Sequence, residues 1–303
     1  MNILKKAIVA LPLIYGVQAF AQDIEIAGIS SVTYPKSGLK GAGNNADYSF
    51  QEYGTFINIP YKLKNKKTIL VNGLGYGWVG NSGSDLSFVE AGKNKKQLHA
   101  IYYQLMFAHK LNEDWNLLIS LRPTLASDFE HSLSTDDFVL QGIGFALKKV
   151  NEHFSIGGGI AYTMRFGKPF AVPVLPLNYK KGKHTISTLL PIKSAYNYSL
   201  GKKEKISVGV KHVVNGAQFN ITAPNFNKSD VPDIDKIGYT RANIGAAINY
   251  DITKFLRFEV YGGASIRRQY ELFDTSNRTH KFELNETPFI QFGITLVPPK
   301  KKM

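Results

Sequence analysis

Arg122, Arg165, Arg241, Arg257 and Arg267 each lie in a segment where apolar and polar residues alternate, and each takes the polar parity. Glu52, Glu259 and Asp251 fall on the same side of the alternation and are the acids within reach of a pairing. Guanidiniums gathered on one face of a closed sheet can do one of two things. They line an aqueous path that favours small anionic or neutral solutes, or they pair with carboxylates across the interior and fill it. The candidate lumen-lining set is Arg122, Arg165, Arg241, Arg257, Glu259 and Arg267.

Other chemistry finds less support. The seven histidines, His99, His109, His131, His153, His184, His212 and His280, show no metal spacing and no HExxH pair, so no metal site is expected. A hydrolase built on the lipid face needs a nucleophile, a base and an orienting group together. His212, with Asn215 three residues on, is the residue to test for that role, although the Val213-Val214 run suggests a bulge that reassigns both. Asp136-Asp137 and the Asp230, Asp233, Asp235 group sit in loops beside turn residues, where Asp bonds its own backbone. GLGYG offers paired glycines but no following helix, so Gly73, Gly75 and Gly77 read as places where the wall curves or a neighbour needs room. No catalytic residue and no cofactor is assigned, and an enzyme is not expected.

The elements that must carry these side chains have a period of two. In FSIGGGIAYTMRF, Phe154, Ile156, Gly158, Ile160, Tyr162, Met164 and Phe166 oppose Ser155, Gly157, Gly159, Ala161, Thr163 and Arg165. From Leu256 to Arg267 the apolar parity opposes Arg257, Glu259, Tyr261, Gly263, Ser265 and Arg267, which is not the composition of a dry core. Such segments are long for a soluble sandwich and suit a tilted membrane crossing. Short connections at Lys64–Lys67, Asn112–Asp114, Asn151–His153, Lys180–Lys183, Gly201–Glu204 and Thr253–Lys254 alternate with longer polar ones such as Pro35–Ser49, Asn81–Lys96 and Pro224–Ile237. The expectation is an all-β, antiparallel up-and-down transmembrane barrel of about 14 strands, or about 12 if Pro191 merely bends one strand between Phe170 and Leu200.

Composition fits that class. The chain has no cysteine, so neither disulfides nor thiolate sites hold it. Lys5 and Lys6, the apolar stretch Ala7–Val17 and the Ala19-Phe20-Ala21 triplet form a secretory signal peptide, giving a signal at residues 1–21 and a barrel domain at 22–303. The stretch is shorter than the roughly 20 apolar residues a membrane helix needs. A net charge of +14 is spread over clusters such as Lys62, Lys64, Lys66, Lys67 and Lys300–Lys302, placed at turns and termini where they solvate hairpin ends or meet anionic headgroups. Nucleic acid is not an expected partner; outer-membrane lipids, small solutes in the lumen and the barrel-insertion machinery are.

The NGLGYGWVG strand, the LHAIYYQLMFAHKLNEDWNLLISLRPTLASDF hairpin and the FAVPVLPLNYKKGKHTISTLLPIKSAYNYSL segment resemble a family of Gram-negative outer-membrane β-barrel proteins known as a domain of unknown function. That resemblance implies a fold and a cell outer-membrane location, and it carries over no functional residue. One departure concerns the end of the chain, where Phe292 is followed after a few residues by VPPKKKM instead of a terminal aromatic. Three functions stay open: a narrow, porin-like channel for small solutes; a surface-binding or structural barrel acting through its loops; and a barrel-embedded lipid hydrolase.

Overall fold

The computed structural model describes residues 24–40, 47–83, 95–130, 132–221, 234–276 and 278–298, so residues 1–21, expected to be a signal peptide, lie outside the described residues. The strands are β1 (Ala27–Gly38), β2 (Asp47–Lys62), β3 (Thr68–Gly83), β4 (Lys95–Lys110), β5 (Trp115–Ser127), β6 (Phe138–Lys149), β7 (Phe154–Thr163) and β8 (Phe170–Lys181). They continue as β9 (His184–Leu190), β10 (Lys193–Leu200), β11 (Ile206–Asn220), β12 (Ile234–Asp251), β13 (Leu256–Asp274), β14 (Thr279–Leu284) and β15 (Thr287–Leu296). A 3-10 turn at Thr135–Asp137 precedes β6.

Sequence neighbours pair antiparallel around the sheet, and β1 pairs with β15, so the sheet closes on itself. Both β14 and β15 lie along β13, as two segments of one strand interrupted at Asn285 and Glu286. The result is a closed 14-strand up-and-down barrel. The 12-strand alternative is set aside because Pro191 sits between two separate strands: β9 pairs with β8 and β10, and β10 pairs with β11.

Local chemistry explains the tight turns. Asn65 Oδ1 accepts from the backbone N–H groups of Lys67 and Thr68, Asn112 Oδ1 from Asp114 and Trp115, and Asn151 Oδ1 from His153. Thr253 Oγ1 does the same for Phe255 and Leu256. Each side chain mimics a backbone carbonyl and stops the strand within a few residues. These turns share one end of the barrel, called here the turn end. The β1–β2, β3–β4, β5–β6 and β11–β12 connections share the other, the loop end.

Alternation decides what faces outward. Ile29, Ile57, Ile59, Leu74, Ile160, Val210, Ile248 and Ile294 are exposed, while Val32, Tyr34, Phe50, Val71, Ala161, Ala247 and Tyr261 are buried. So wide a belt of exposed aliphatics belongs against hydrocarbon. The interior is less uniformly polar than the parity rule predicts. Ile69, Val71, Ala108 and Leu147 form one inward apolar cluster, and Ala161, Val172, Val174 and Ile192 another.

Three local expectations are corrected. The β7 strand stops at Thr163, and residues 164–167 turn inward, so Arg165 leaves the strand it was assigned to. No bulge occurs at Val213-Val214, where β11 keeps unbroken register with β12. The slip lies instead in β13, between the pairs Thr240↔Gln269 and Ala242↔Ile266, where Arg267 takes a left-handed φ of 48°.

Candidate lumen and the residues that close it

That slip decides which of two adjacent arginines is enclosed. A bulge adds a residue to one strand and reverses its alternation beyond that point. Arg267 is therefore exposed, and Arg268, which sequence reasoning passed over, is 3% exposed. Arg268 Nη1 donates to the Asn285 carbonyl at 2.9 Å and to Ser37 Oγ, and its guanidinium lies 5.6 Å from the Phe50 ring centre.

Beside it, Arg241 is ion-paired with Glu52 of β2 and stacks over Tyr34 at 3.9 Å and Tyr239 at 4.7 Å. Tyr239 also donates its hydroxyl to Glu52 at 3.1 Å, and Asn243 Nδ2 donates to the Tyr34 hydroxyl at 2.8 Å. These side chains come from β1, β2, β12 and β13, so together they form a stacked, hydrogen-bonded partition inside the loop half of the barrel. A buried guanidinium is tolerable only when its charge is compensated, and here the Glu52 carboxylate and the Tyr34 and Tyr239 ring faces do that for Arg241, although its Nε has no hydrogen-bond partner among the described residues.

On the opposite wall, Arg122 donates through Nε to Gln104 at 3.1 Å and lies 4.5 Å over the Tyr102 ring. Gly75 makes this possible: a Cβ there would meet the Tyr102 ring itself. Gln141 links the neighbouring strands, donating to Thr124 Oγ1 and accepting from Thr163 Oγ1 and the Met164 N–H. Arg165, from its inward turn, donates through Nη1 to the Val214 carbonyl at 3.0 Å and to Asn215 Oδ1 at 3.4 Å. Asn215 is thus engaged by Arg165 and not by His212.

Nearer the turn end the inward charges retain contact with solvent. Lys211 pairs with Glu259 at 2.7 Å with side chains 25% and 22% exposed, and Arg257 pairs with Asp251 at 2.8 Å. Glu25, just before β1, has Lys193, Lys211, Arg257 and Glu259 as its charge neighbours. Of the acids expected to pair, Glu52 and Asp251 meet arginines, whereas Glu259 meets Lys211.

The loop end is drawn together. Ser127 at the end of β5 bridges in parallel to Asn220 at the end of β11, and the Asp128 N–H donates to the Asn220 carbonyl at 3.2 Å. Val79, Leu98 and Ala126 from β3–β5 pack in one cluster with Phe219, Ile237, Tyr239 and Leu272 from β11–β13. Asn220 Nδ2 also donates to Asp137 Oδ1 at 3.1 Å, and Asp137 Oδ2 accepts from the Ser134 N–H at 2.6 Å. Burial opposes ionisation of Asp137, but bonds from Ser134, Ser127 and Asn220 outweigh it and hold the carboxyl below its ordinary range.

The sequence matches a family model, described as Domain of unknown function (DUF6268), over residues 17–296. The chain belongs to this family. No curated protein sequence matches it. Among solved structures, a similar barrel is an outer-membrane channel from Pseudomonas putida F1, 12% identical, covering 92% of this chain and 98% of that one with a TM-score of 0.43. Another is the Pseudomonas putida toluene transporter TodX, 11% identical, covering 90% and 88% with a TM-score of 0.38. A third is outer membrane phospholipase A from Escherichia coli, 11% identical, covering 89% and 92% with a TM-score of 0.31. Its own strands close into an antiparallel β-barrel with an aliphatic outer face.

Of the residues that sequence parity put on the polar face, Arg241 is buried, Arg122 bonds to Gln104, and Arg257 and Glu259 sit half-buried in ion pairs, while Arg165 lies in the turn after β7 and not in the strand. Sequence parity missed Arg268, Lys211 and Tyr34. Lys211 was legible, since it alternates with the outward Val210. Arg268 was not, because nothing in an Arg-Arg pair says which member a bulge will turn inward.

Proposed function

We propose that this protein is a narrow channel of the outer membrane for small solutes, exported on a signal peptide spanning residues 1–21 and placed in the membrane by the barrel-insertion machinery. Arg122, Arg165, Arg241, Arg257 and Glu259 line its interior in this reading. The observation that carries it is the turn-end interior, where the Lys211–Glu259 and Arg257–Asp251 pairs keep partial exposure inside a closed wall. Paired charges that keep this exposure are hydrated, so water reaches at least the turn half of the interior. Because positive and negative groups alternate there, selectivity between small ions is modest. The test is conductance across a planar bilayer with protein whose heat-modifiable migration confirms folding. Discrete steps of small conductance support the channel, and a silent, folded barrel rejects it.

A second reading has its own observation. The Ser127–Asn220 bridge and the apolar cluster of Val79, Phe219 and Leu272 bind opposite walls at the loop end. A barrel shut in that way would serve as a scaffold that binds partners through its loops, and the loops expected to do so, Asn81–Lys96 and Pro224–Ile237, lie for the most part outside the described residues. The same silent bilayer recording favours this reading.

A further inference from the structure

Among the described residues, the wall of the barrel is interrupted above β9 and β10. Strands β9 and β10 have 7 and 8 residues, fewer than the roughly 9–11 that a tilted strand needs to cross the hydrocarbon. Pairing of β8 with β9 begins only at Leu175↔Leu190, and pairing of β10 with β11 stops at Lys193↔Val213. Above the β9–β10 tip, Phe170–Val174 of β8 and the stretch of β11 beyond Val214 therefore face one another with no strand between them among the described residues. Backbone polar groups facing lipid must be satisfied by protein, so an open stretch of ladder inside a membrane demands a cover.

The cover is the inward turn after β7. Arg165 caps the edge carbonyl of Val214 at 3.0 Å, and its own carbonyl accepts from Thr240 Oγ1 at 3.0 Å. Gly167, at φ 91°, ends the turn against Tyr239 and Glu271, and Phe166 and Phe170 meet edge-on at 5.2 Å. Behind this gap the interior is apolar: Ala161, Val172, Val174 and Ile192, with Phe166 and Leu189 packed on them. The lower lip is apolar too, formed by Leu175 and Leu190, both exposed.

We propose that this gap is a side window through which a small apolar or weakly amphipathic molecule passes between the bilayer and the barrel interior, with the turn at residues 164–167 as its bolt. The onward path from the interior rests on the channel reading above; the window itself does not. The argument for this solute class is the lining. An ion or sugar entering here would leave water, cross hydrocarbon and, past the Arg165 bolt, meet a lining of Ala161, Val172, Val174 and Ile192, whereas a molecule already dissolved in the membrane meets no such barrier. Opening needs the bond of Arg165 to Val214 and that of Thr240 to Arg165 to break, together with the longer contact of Arg165 to Asn215 and the bond of the Met164 N–H to Gln141, while the rest of the closed ladder stays intact.

The absence of native cysteine makes the test direct. Single cysteines are placed at the window (Ile192→Cys), on the lipid face (Ile160→Cys) and in the interior away from the window (Ala247→Cys), in proteoliposomes of the full chain. Each is exposed to membrane-dissolved pyrene maleimide and, separately, to a charged, water-confined methanethiosulfonate reagent. With native Arg165, pyrene maleimide labels Ile160→Cys quickly and Ile192→Cys slowly. Adding Arg165→Ala accelerates Ile192→Cys labelling by about tenfold, the scale of one lost charge-assisted hydrogen bond, and leaves Ala247→Cys protected. Thr240→Val, which removes only the second bond, moves the rate the same way and stands in should Arg165→Ala fail to fold. The window is overturned if Ile192→Cys stays as protected as Ala247→Cys in both variants, if the two rise together as in a loosened barrel, or if the charged reagent reaches Ile192→Cys faster than the apolar one. A labelled window in a barrel that passes no current would reject the channel and keep the window.

Discussion

At the scale of single residues, the interior is governed by how each buried charge is neutralised. Arg241 has one carboxylate, Glu52, and that carboxylate also accepts the Tyr239 hydroxyl. Removing one member of such a pair leaves the other desolvated and uncompensated, which costs far more than removing both. Glu52→Gln should therefore lower the unfolding free energy by about 3 kcal/mol, near the lower end of the range for buried pairs because Glu52 keeps some exposure. Glu52→Gln combined with Arg241→Gln should recover part of that loss. Urea unfolding in lipid vesicles, run as a double-mutant cycle, measures the coupling, and additive losses would show the pair to be inert. A different constraint acts at Gly75, where a side chain would strike the Tyr102 ring that supports Arg122. Gly75→Val should cost about 1–3 kcal/mol by overpacking in the same assay, whereas Gly144→Ala, whose new Cβ meets only ordinary contact with Ile119, should be nearly neutral. The inward parity of Arg122, Arg241 and Arg257 was readable because their strands alternate without interruption up to those positions. The choice between Arg267 and Arg268 was hidden because it depends on a bulge fixed by the pairing with β12, a contact between strands and not a property of the dipeptide.

At the scale of elements, the sequence was most legible where local chemistry sets the boundary. Asn65, Asn112 and Thr253 stop their strands by bonding backbone N–H groups two and three residues on, and Asn151 by bonding the one two residues on, so those turns could be placed without knowing the fold. The end of β7 was misjudged because Met164 and Phe166 continue the apolar parity; only contact with β11 and β12 turns them inward. Outward parity carries a quantitative consequence. Ile160, 63% exposed near the middle of β7, meets hydrocarbon, and Ile160→Lys should cost about 2–4 kcal/mol in vesicle unfolding, against little change for a lysine at the exposed turn residue Glu152. The 3-10 turn before β6 makes a prediction about acid. Hydrogen bonds hold the Asp137 carboxyl below its unfolded value, so the stability it contributes is fully present above that value, about 3.9, and is lost as pH falls through the lower folded one. Amide exchange in residues 128–137 should rise below about pH 4 and stay flat between pH 5 and 7; Asp137→Asn should show the raised exchange at neutral pH and no acid step.

For the whole molecule, the two halves of the barrel pull the functional reading in opposite directions, and the closure at the loop end decides between them. The turn end holds the partly exposed pairs Lys211–Glu259 and Arg257–Asp251, which need water or each other. The loop end holds β5 against β11 through the Ser127–Asn220 bridge, the Asn220–Asp137 hydrogen bond and an apolar cluster spanning both walls. If ions cross at all, that contact limits them, and the partition of Arg241, Tyr34 and Arg268 comes next in the path. Loosening the first without touching the second is feasible because Asn220 and Asp137 meet Arg241 nowhere. Asn220→Ala with Asp137→Ala removes the side-chain hydrogen bonds of the closure and leaves the Ser127–Asn220 backbone bridge and the strand pairing in place. Single-channel conductance of this variant in a planar bilayer should exceed that of the native protein several-fold, while heat-modifiable migration is retained. Because the turn-end charges are paired, reversal potentials in a salt gradient should stay near zero in both, and Glu259→Gln, which frees Lys211, should move them towards anion selectivity. A native protein and a loosened variant that conduct equally would place the restriction at the arginine partition; two silent, folded barrels would leave the scaffold reading standing, with the wet pairs at the turn end as a vestibule that leads nowhere.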